Sequence, residues 1–160
     1  MHKVESKKEI LDLSNSSISN LIFGESFNSD EFNKLRESVG WPKLSERQAT
    51  ACIENSSFLV SVRISNDIIG MGRALYDFGN TAFISDVIVV PNYQKMGIGS
   101  RIVSLLKERI VLNVEKDEYI TIFLFSEHGK EQFYEQLGFK ATPNKICGAG
   151  MMKVVPNVDL

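Results

Sequence analysis

The stretch that decides the fold is Val87-Ile88-Val89-Val90-Pro91-Asn92-Tyr93-Gln94-Lys95-Met96-Gly97-Ile98-Gly99-Ser100. An apolar run stops at a proline and a polar turn follows. Gly97 and Gly99 then open a segment in which Ile98, Ile102, Leu105, Leu106 and Ile110 recur on one helical face. A strand therefore hands the chain to a turn whose glycines allow close backbone approach, and a helix N-terminus presents unpaired N–H groups. Such a terminus carries roughly half a positive charge and suits a pyrophosphate without any lysine. A purely structural tight turn fits the same residues. A dinucleotide fingerprint would need glycine at 102, where Ile102 stands, and no Gly-Lys-Ser/Thr closes a nucleoside triphosphate loop.

Upstream of this stretch the pattern has period two. Phe58, Val60, Val62 and Ile64 alternate with Leu59, Ser61 and Arg63, Asn66-Asp67 makes a turn, and Ile68 to Leu75 returns. Asp77-Phe78-Gly79-Asn80 turns again into Thr81 to Val90, so the three strands form an antiparallel meander. Two capping boxes lie further upstream: Asn28 with Glu31 ahead of Phe32, Leu35 and Val39, and Ser45 with Gln48 ahead of Ala49, Cys52 and Ile53. Each predicts a short helix, the first stopping near Gly40. Leu21 to Phe23 reads as a short strand. Downstream of the long helix the pattern predicts a strand over Tyr119 to Phe125, a helix over Lys130 to Leu137 and a final strand over Met151 to Val155. The fold class is mixed α/β (α+β), a mostly antiparallel central sheet with helices on both faces.

The 160 residues are 43% apolar and 24% charged, which suits one soluble domain spanning 1–160, with 1–16 as a peripheral N-terminal segment. With 18 basic and 20 acidic residues the net charge is −2, which removes the electrostatic argument for a protein that coats nucleic-acid phosphates. No apolar run approaches the ~20 residues needed to cross a bilayer, and the N-terminus has no secretory pattern. Cys52 and Cys147 lie far apart, and His2 and His128 complete no zinc spacing, so neither a metal nor a disulfide framework is expected. The cytoplasm is the natural compartment.

A second constellation is Phe133-Tyr134-Glu135-Gln136-Leu137-Gly138-Phe139. It reads as an amphipathic helix with Phe133 and Leu137 in the core and Gly138 as C-terminal cap. Tyr134 is either one more core aromatic or a proton donor, since a phenol with pKa near ~10 can protonate a departing thiolate of pKa about 8.5.

Taken together, in this order, the two segments resemble the GCN5-related N-acetyltransferase family over about residues 20 to 155. Gln94-Lys95-Met96-Gly97-Ile98-Gly99 is similar to its Gln/Arg-x-x-Gly-x-Gly/Ala coenzyme loop, and Phe133-Tyr134 through Gly138-Phe139 to its second segment. The resemblance implies a sheet splayed open beside Gln94, with acetyl-coenzyme A wedged into the gap. It implies that backbone N–H groups of Gln94, Lys95, Met96, Gly97, Ile98, Gly99 and Ser100 bind the pyrophosphate. Val87, Ile88 and Val89 pair with the pantetheine arm as an added strand would. The N–H of Val87 or a neighbour polarises the thioester carbonyl, and Tyr134 protonates the sulfur. Glu127 departs from the family pattern, which often has asparagine seven residues before the tyrosine.

The acceptor amine must lose a proton before it attacks. Asp86 is the candidate to assist, because strand alternation puts it on the face of Ile84 and Ile88, where a carboxylate needs a partner or a cleft. A satisfied structural aspartate fits as well. His128, in a glycine-flanked loop, is the weaker candidate for a base. Trp41 is a core anchor or a pocket wall, Arg73 and Asp77 belong to the acceptor side of the cleft or to a solvated hairpin end, and Lys95 is the lysine expected to meet coenzyme phosphate. The expected activity is acetyl transfer from acetyl-coenzyme A to a primary amine by direct attack in a ternary complex. The alternative is a catalytically inactive coenzyme A-binding sensor of the same fold. The expected partner is a small-molecule or peptide amine, with no nucleic acid and no membrane, and a homodimer is compatible with the fold.

Overall fold

The computed structural model describes residues 20–155, so the peripheral segment 1–16 lies outside the described residues. The elements run β1 (Leu21–Gly24), α1 (Ser29–Ser38), α2 (Glu46–Glu54), β2 (Phe58–Ile64), β3 (Asp67–Tyr76), β4 (Thr81–Val89), a 3-10 turn (Pro91–Tyr93), α3 (Ile98–Val111), β5 (Thr121–Phe123) and α4 (Glu131–Glu135). The chain divides into two compact units, one ending at Leu124 and the other beginning at Phe125.

Both capping boxes form. Asn28 Oδ1 accepts from the Glu31 N–H at 2.9 Å while Glu31 accepts from the Asn28 N–H at 3.0 Å. Ser45 and Gln48 make the same reciprocal pair at 3.2 and 3.4 Å. Each box supplies acceptors for backbone N–H groups that a helix start leaves unpaired. Glu31 also reaches beyond its own helix. Arg63 of β2 donates to both its oxygens at 2.5 and 2.9 Å, which ties the first turn of α1 to the sheet.

The sheet has strand order β1-β2-β3-β4-β5. Its first four strands are antiparallel neighbours, and β5 lies parallel to β4. Helices cover both faces. On one, Phe32 and Leu35 of α1 and Ala49 of α2 pack with Phe27, Ile68, Met71 and Ile88, and Trp41, Leu59 and Val90 join the edge of this core. On the other lies α3, whose Ile98, Ile102, Val103, Leu106 and Ile110 are buried. Leu105, expected on that stripe, is half-buried and Val103 takes its place.

Gly70 and Gly72 explain how closely α3 approaches. A Cβ on Gly72 would sit 2.5 Å from Ile102 Cγ2 and 3.1 Å from a methyl of Leu106, and one on Gly70 would sit 3.3 Å from Ile102 Cδ1. The missing side chains are the groove into which Ile102 fits. Arg109, near the far end of the helix, donates to the Leu59 carbonyl and pairs with Glu25 at 2.7 Å.

Two strand expectations fail against this architecture. Met151 to Val155 forms no strand: these residues are exposed and find no partner ladder among the described residues, and alternating apolar residues cannot make a strand without one. The strand expected over Tyr119 to Phe125 shrinks to Thr121–Phe123, the three residues that pair with Thr81, Ala82 and Phe83.

The Gly72 contact generates a stability prediction. Gly72→Ala forces a methyl group into the packed flank of Ile102, and overpacking of this kind costs about 1–3 kcal/mol. A lowered midpoint in urea unfolding at unchanged slope is the expected result.

Candidate active site

The site begins with a mismatch in strand pairing. Met71 pairs with Ile88 and Arg73 with Ser85, so Asp86 and Val87 stand together opposite Gly72. This is a bulge, two residues against one, and Asp86 takes it up with a left-handed φ of 48°. The bulge also overturns the simple alternation. Ile84 pairs with Ala74 and Ile88 with Met71, three positions apart on β3, so Ile84 and Ile88 lie on opposite faces. Asp86 therefore shares a face with Ile88, on the side of α1, and not with Ile84. Val87 lies on the α3 side, where a Cβ on Gly72 would be 3.6 Å from its methyl.

Beyond Phe83, β4 has no strand partner on its β5 side among the described residues. The Val90 N–H donates to the Ile69 carbonyl at 2.9 Å and so points to β3. Counting back by two, Ile88 points the same way, and the backbone groups of Val87 and Val89 face the open edge. The splayed sheet is thus present, with main-chain donors and acceptors along the strand that was expected to pair with an extended arm. The side chain of Gln94 closes the end of that edge, donating to the Val89 carbonyl at 2.9 Å.

The turn after the strand is tightly wound. Lys95 and Gly97 both have positive φ, 62° and 78°, and Gly97 is the N-cap of α3 without any side-chain cap. A Cβ on Gly97 would meet nothing within 4 Å, so the glycine is needed for its backbone conformation and not for space. The first intrahelical bond runs from the Arg101 N–H to the Gly97 carbonyl at 3.0 Å, which leaves the N–H groups of Ile98, Gly99 and Ser100 at the open helix end. The Gln94 N–H is not among the free donors; it bonds the Pro91 carbonyl at 3.2 Å. This bare, amide-lined helix start fits a diphosphate. Among the described residues no group of three or more His, Cys, Asp or Glu is placed to hold a metal ion.

Asp86 is not a solitary carboxylate. Arg36 of α1 donates to one oxygen at 2.8 Å and Arg73 of β3 to the other at 2.5 Å, with the Ser85 hydroxyl at 3.3 Å. All three charged side chains are largely withdrawn from solvent, the aspartate to 7% exposure. The expectation of a proton acceptor at Asp86 thus meets a group whose two oxygens already receive guanidinium N–H donors. Arg36, which no local sequence pattern singles out, also donates to the Pro42 carbonyl at 3.1 Å and lies over the rings of Phe32 and Trp41 at 5.7 and 5.3 Å. Trp41 is accordingly an anchor for Arg36 at the edge of the core.

In the second unit, α4 ends in the expected glycine cap. Gly138 has φ 90°, its N–H donates to the Glu135 carbonyl, and the Phe139 N–H reaches back to Tyr134. The Tyr134 ring is boxed edge-to-face by Phe133 at 4.8 Å and Phe139 at 6.0 Å. Burial raises its phenol above the ordinary value of 10.0, and the charge of Glu127 pushes in the same direction. Glu127, the departure from the family pattern, thereby helps keep Tyr134 protonated. His128 and Cys147 are exposed.

Two outcomes follow from these geometries. In an ultraviolet titration of tyrosinate, the component lost in Tyr134→Phe is expected to have its midpoint above pH 10.0, because the neutral phenol is the favoured form. Gly97→Ala should lower stability by about 1 kcal/mol, since alanine resists positive φ, and should weaken coenzyme A binding in calorimetry.

The Acetyltransferase (GNAT) family pattern matches residues 22–139. An uncharacterized N-acetyltransferase, ycf52, of Pyropia yezoensis is 31% identical over 122 residues, 74% of this chain and 68% of the relative. Histone acetyltransferase TAP1 of Glycine max is 31% identical over 144 residues, 82% of this chain and 61% of its own length. Among solved structures, a probable acetyltransferase from meticillin-resistant Staphylococcus aureus superimposes with TM-score 0.74 at 22% identity, covering 84% of this chain and 99% of the other. Glucosamine-6-phosphate N-acetyltransferase of Arabidopsis thaliana does so with TM-score 0.64 at 14% identity over 85% and 99%. With the family pattern covering the open strand edge, the bare helix start and Tyr134 alike, the chain belongs to the GNAT family of acetyltransferases.

Proposed function

We propose that the enzyme takes its acetyl group from acetyl-coenzyme A and passes it to a primary amine by direct attack, with both substrates bound together and no acyl-enzyme. The observation that carries this reading is the pairing of an open β4 edge with a bare helix start at Gly97, in one continuous stretch of chain. The N–H groups of Ile98, Gly99 and Ser100 hold the diphosphate, with Lys95 and Met96 shaping the turn. The exposed backbone of Val87 and Val89, on either side of Ile88, whose own groups are turned to β3, receives the pantetheine arm in the manner of an added strand. The Val87 N–H donates to the thioester carbonyl, where negative charge grows as the amine attacks. Tyr134 donates the proton that the leaving sulfur needs, its raised pKa keeps that proton in place through the neutral range, and the proton shed by the attacking nitrogen passes to water.

The acceptor is a small-molecule or peptide amine. Relatives carry names as different as histone acetyltransferase and glucosamine-6-phosphate N-acetyltransferase, so the names alone do not choose among amine classes. A reducing compartment, the cytoplasm in our reading, agrees with the free thiols of Cys52 and Cys147.

A broad amine screen that reports free thiol release is the test. Turnover with at least one amine, and a fall of about 10²–10⁴-fold in kcat for Tyr134→Phe, is expected if the phenol acts as general acid. Calorimetry supplies the control: coenzyme A should bind more tightly than ADP, because the strand edge adds contacts to the pantetheine arm. Equal binding of the two would reduce the site to a phosphate cradle, and coenzyme binding without turnover of any amine would make the protein a sensor.

A further inference from the structure

The Arg36–Asp86–Arg73 cluster calls for an explanation that proton transfer does not provide. Aspartate enters the left-handed region more readily than most side chains, but φ 48° breaks an otherwise extended strand, and the surroundings hold it there. Here they do so from two elements. Arg73 lies on β3, paired directly with Ser85, and reaches Asp86 with its Nε. Arg36 comes from the last turn of α1 and reaches the other oxygen. Arg36 is itself fixed on three sides, by Phe32, by Trp41 and by the Pro42 carbonyl. The carboxylate is therefore the meeting point of a sheet-borne and a helix-borne guanidinium, in the bulge where β4 departs from regular pairing.

We infer that Arg36 and Arg73 are positioning residues for acetyl transfer, which lock the left-handed conformation of Asp86 and so hold the Val87 N–H toward the open edge of β4. The inference rests on the proposed role of that N–H. It assigns Asp86 to backbone geometry, in place of the base that its sequence position suggests. Without the clamp, Asp86 relaxes toward an extended conformation, the bulge loses its register, and the donor next to it turns. The coenzyme diphosphate, held by the helix start some distance along the chain, is left in place, so the defect falls on kcat and not on coenzyme binding.

Three substitutions at one position separate the two roles. Asn and Gly tolerate positive φ and Ala does not, yet all three remove the carboxylate. If Asp86 acts through conformation, Asp86→Ala, which loses both the clamp and the tolerance of positive φ, lowers kcat by about tenfold or more, while Asp86→Gly and Asp86→Asn, which lose the clamp alone, fall clearly less than Asp86→Ala. KM for acetyl-coenzyme A should stay within about threefold in all of them. If Asp86 carries the proton, the three fall together and the acid limb of the kcat profile disappears, which overturns the inference. Should Asp86→Ala fail to fold, Arg36→Met and Arg73→Met carry the test. Each is expected to lower kcat and to shift the amide proton resonance of Val87 in the free enzyme. An unmoved Val87 resonance in both refutes the clamp, whatever the activity. If the wild type turns over no amine, the functional reading fails by itself, while the Val87 resonance still decides whether the arginines hold the bulge.

Discussion

One strand in this protein serves two neighbours unequally. β4 is paired to β3 along nearly its whole length but to β5 over three residues only, and every unpaired backbone group beyond that point needs a partner or solvent. An edge of this kind is usually a hazard for a β-protein. Here it lies next to a helix start whose amides are equally bare, so the unmet hydrogen-bonding capacity of two elements accumulates in one place. The rest of the architecture serves to keep that place open: α3 is drawn down onto Gly70 and Gly72, and α1 covers the opposite face.

The charged cluster at Asp86 is physically the least economical part of the molecule. Three largely buried ionised side chains stand where apolar residues would pack without desolvation, and breaking such a cluster by deleting one partner typically costs about 3–5 kcal/mol. Buried ion pairs add little net stability, so their presence is better understood as a way to specify geometry. The geometry in question is a single backbone residue, and α1 and β3 reach it from two directions.

Much of this was legible in the sequence because it is local. The capping boxes at Asn28 and Ser45 involve residues three apart, the meander is announced by period-two alternation and turn residues, and the glycine cap at Gly138 follows from its place after an apolar stripe. The turn around Gly97 was readable for the same reason. The bulge was not. Asp86 resembles any polar residue in a strand until the pairing of Met71 and Arg73 is known, and Arg36 lies fifty positions from its partner. Its place in the last turn of α1 invites the simpler reading of a cation complementing a helix end. The failure at Met151 to Val155 is of the same kind, since a ladder depends on a neighbour that no alternation pattern can name.

A cradle made of amides has a consequence for how such a protein tolerates mutation. Every residue except proline carries the same N–H, so the side chains at Met96 and Ser100 can be exchanged without removing a donor, provided the dihedral angles at Lys95 and Gly97 survive. Drift in the alphabet of the loop is then nearly free, while drift in its curvature is not. A chain sharing only 22% of its residues can still superimpose with a TM-score of 0.74, as expected when the fold's key positions are written in torsion angles.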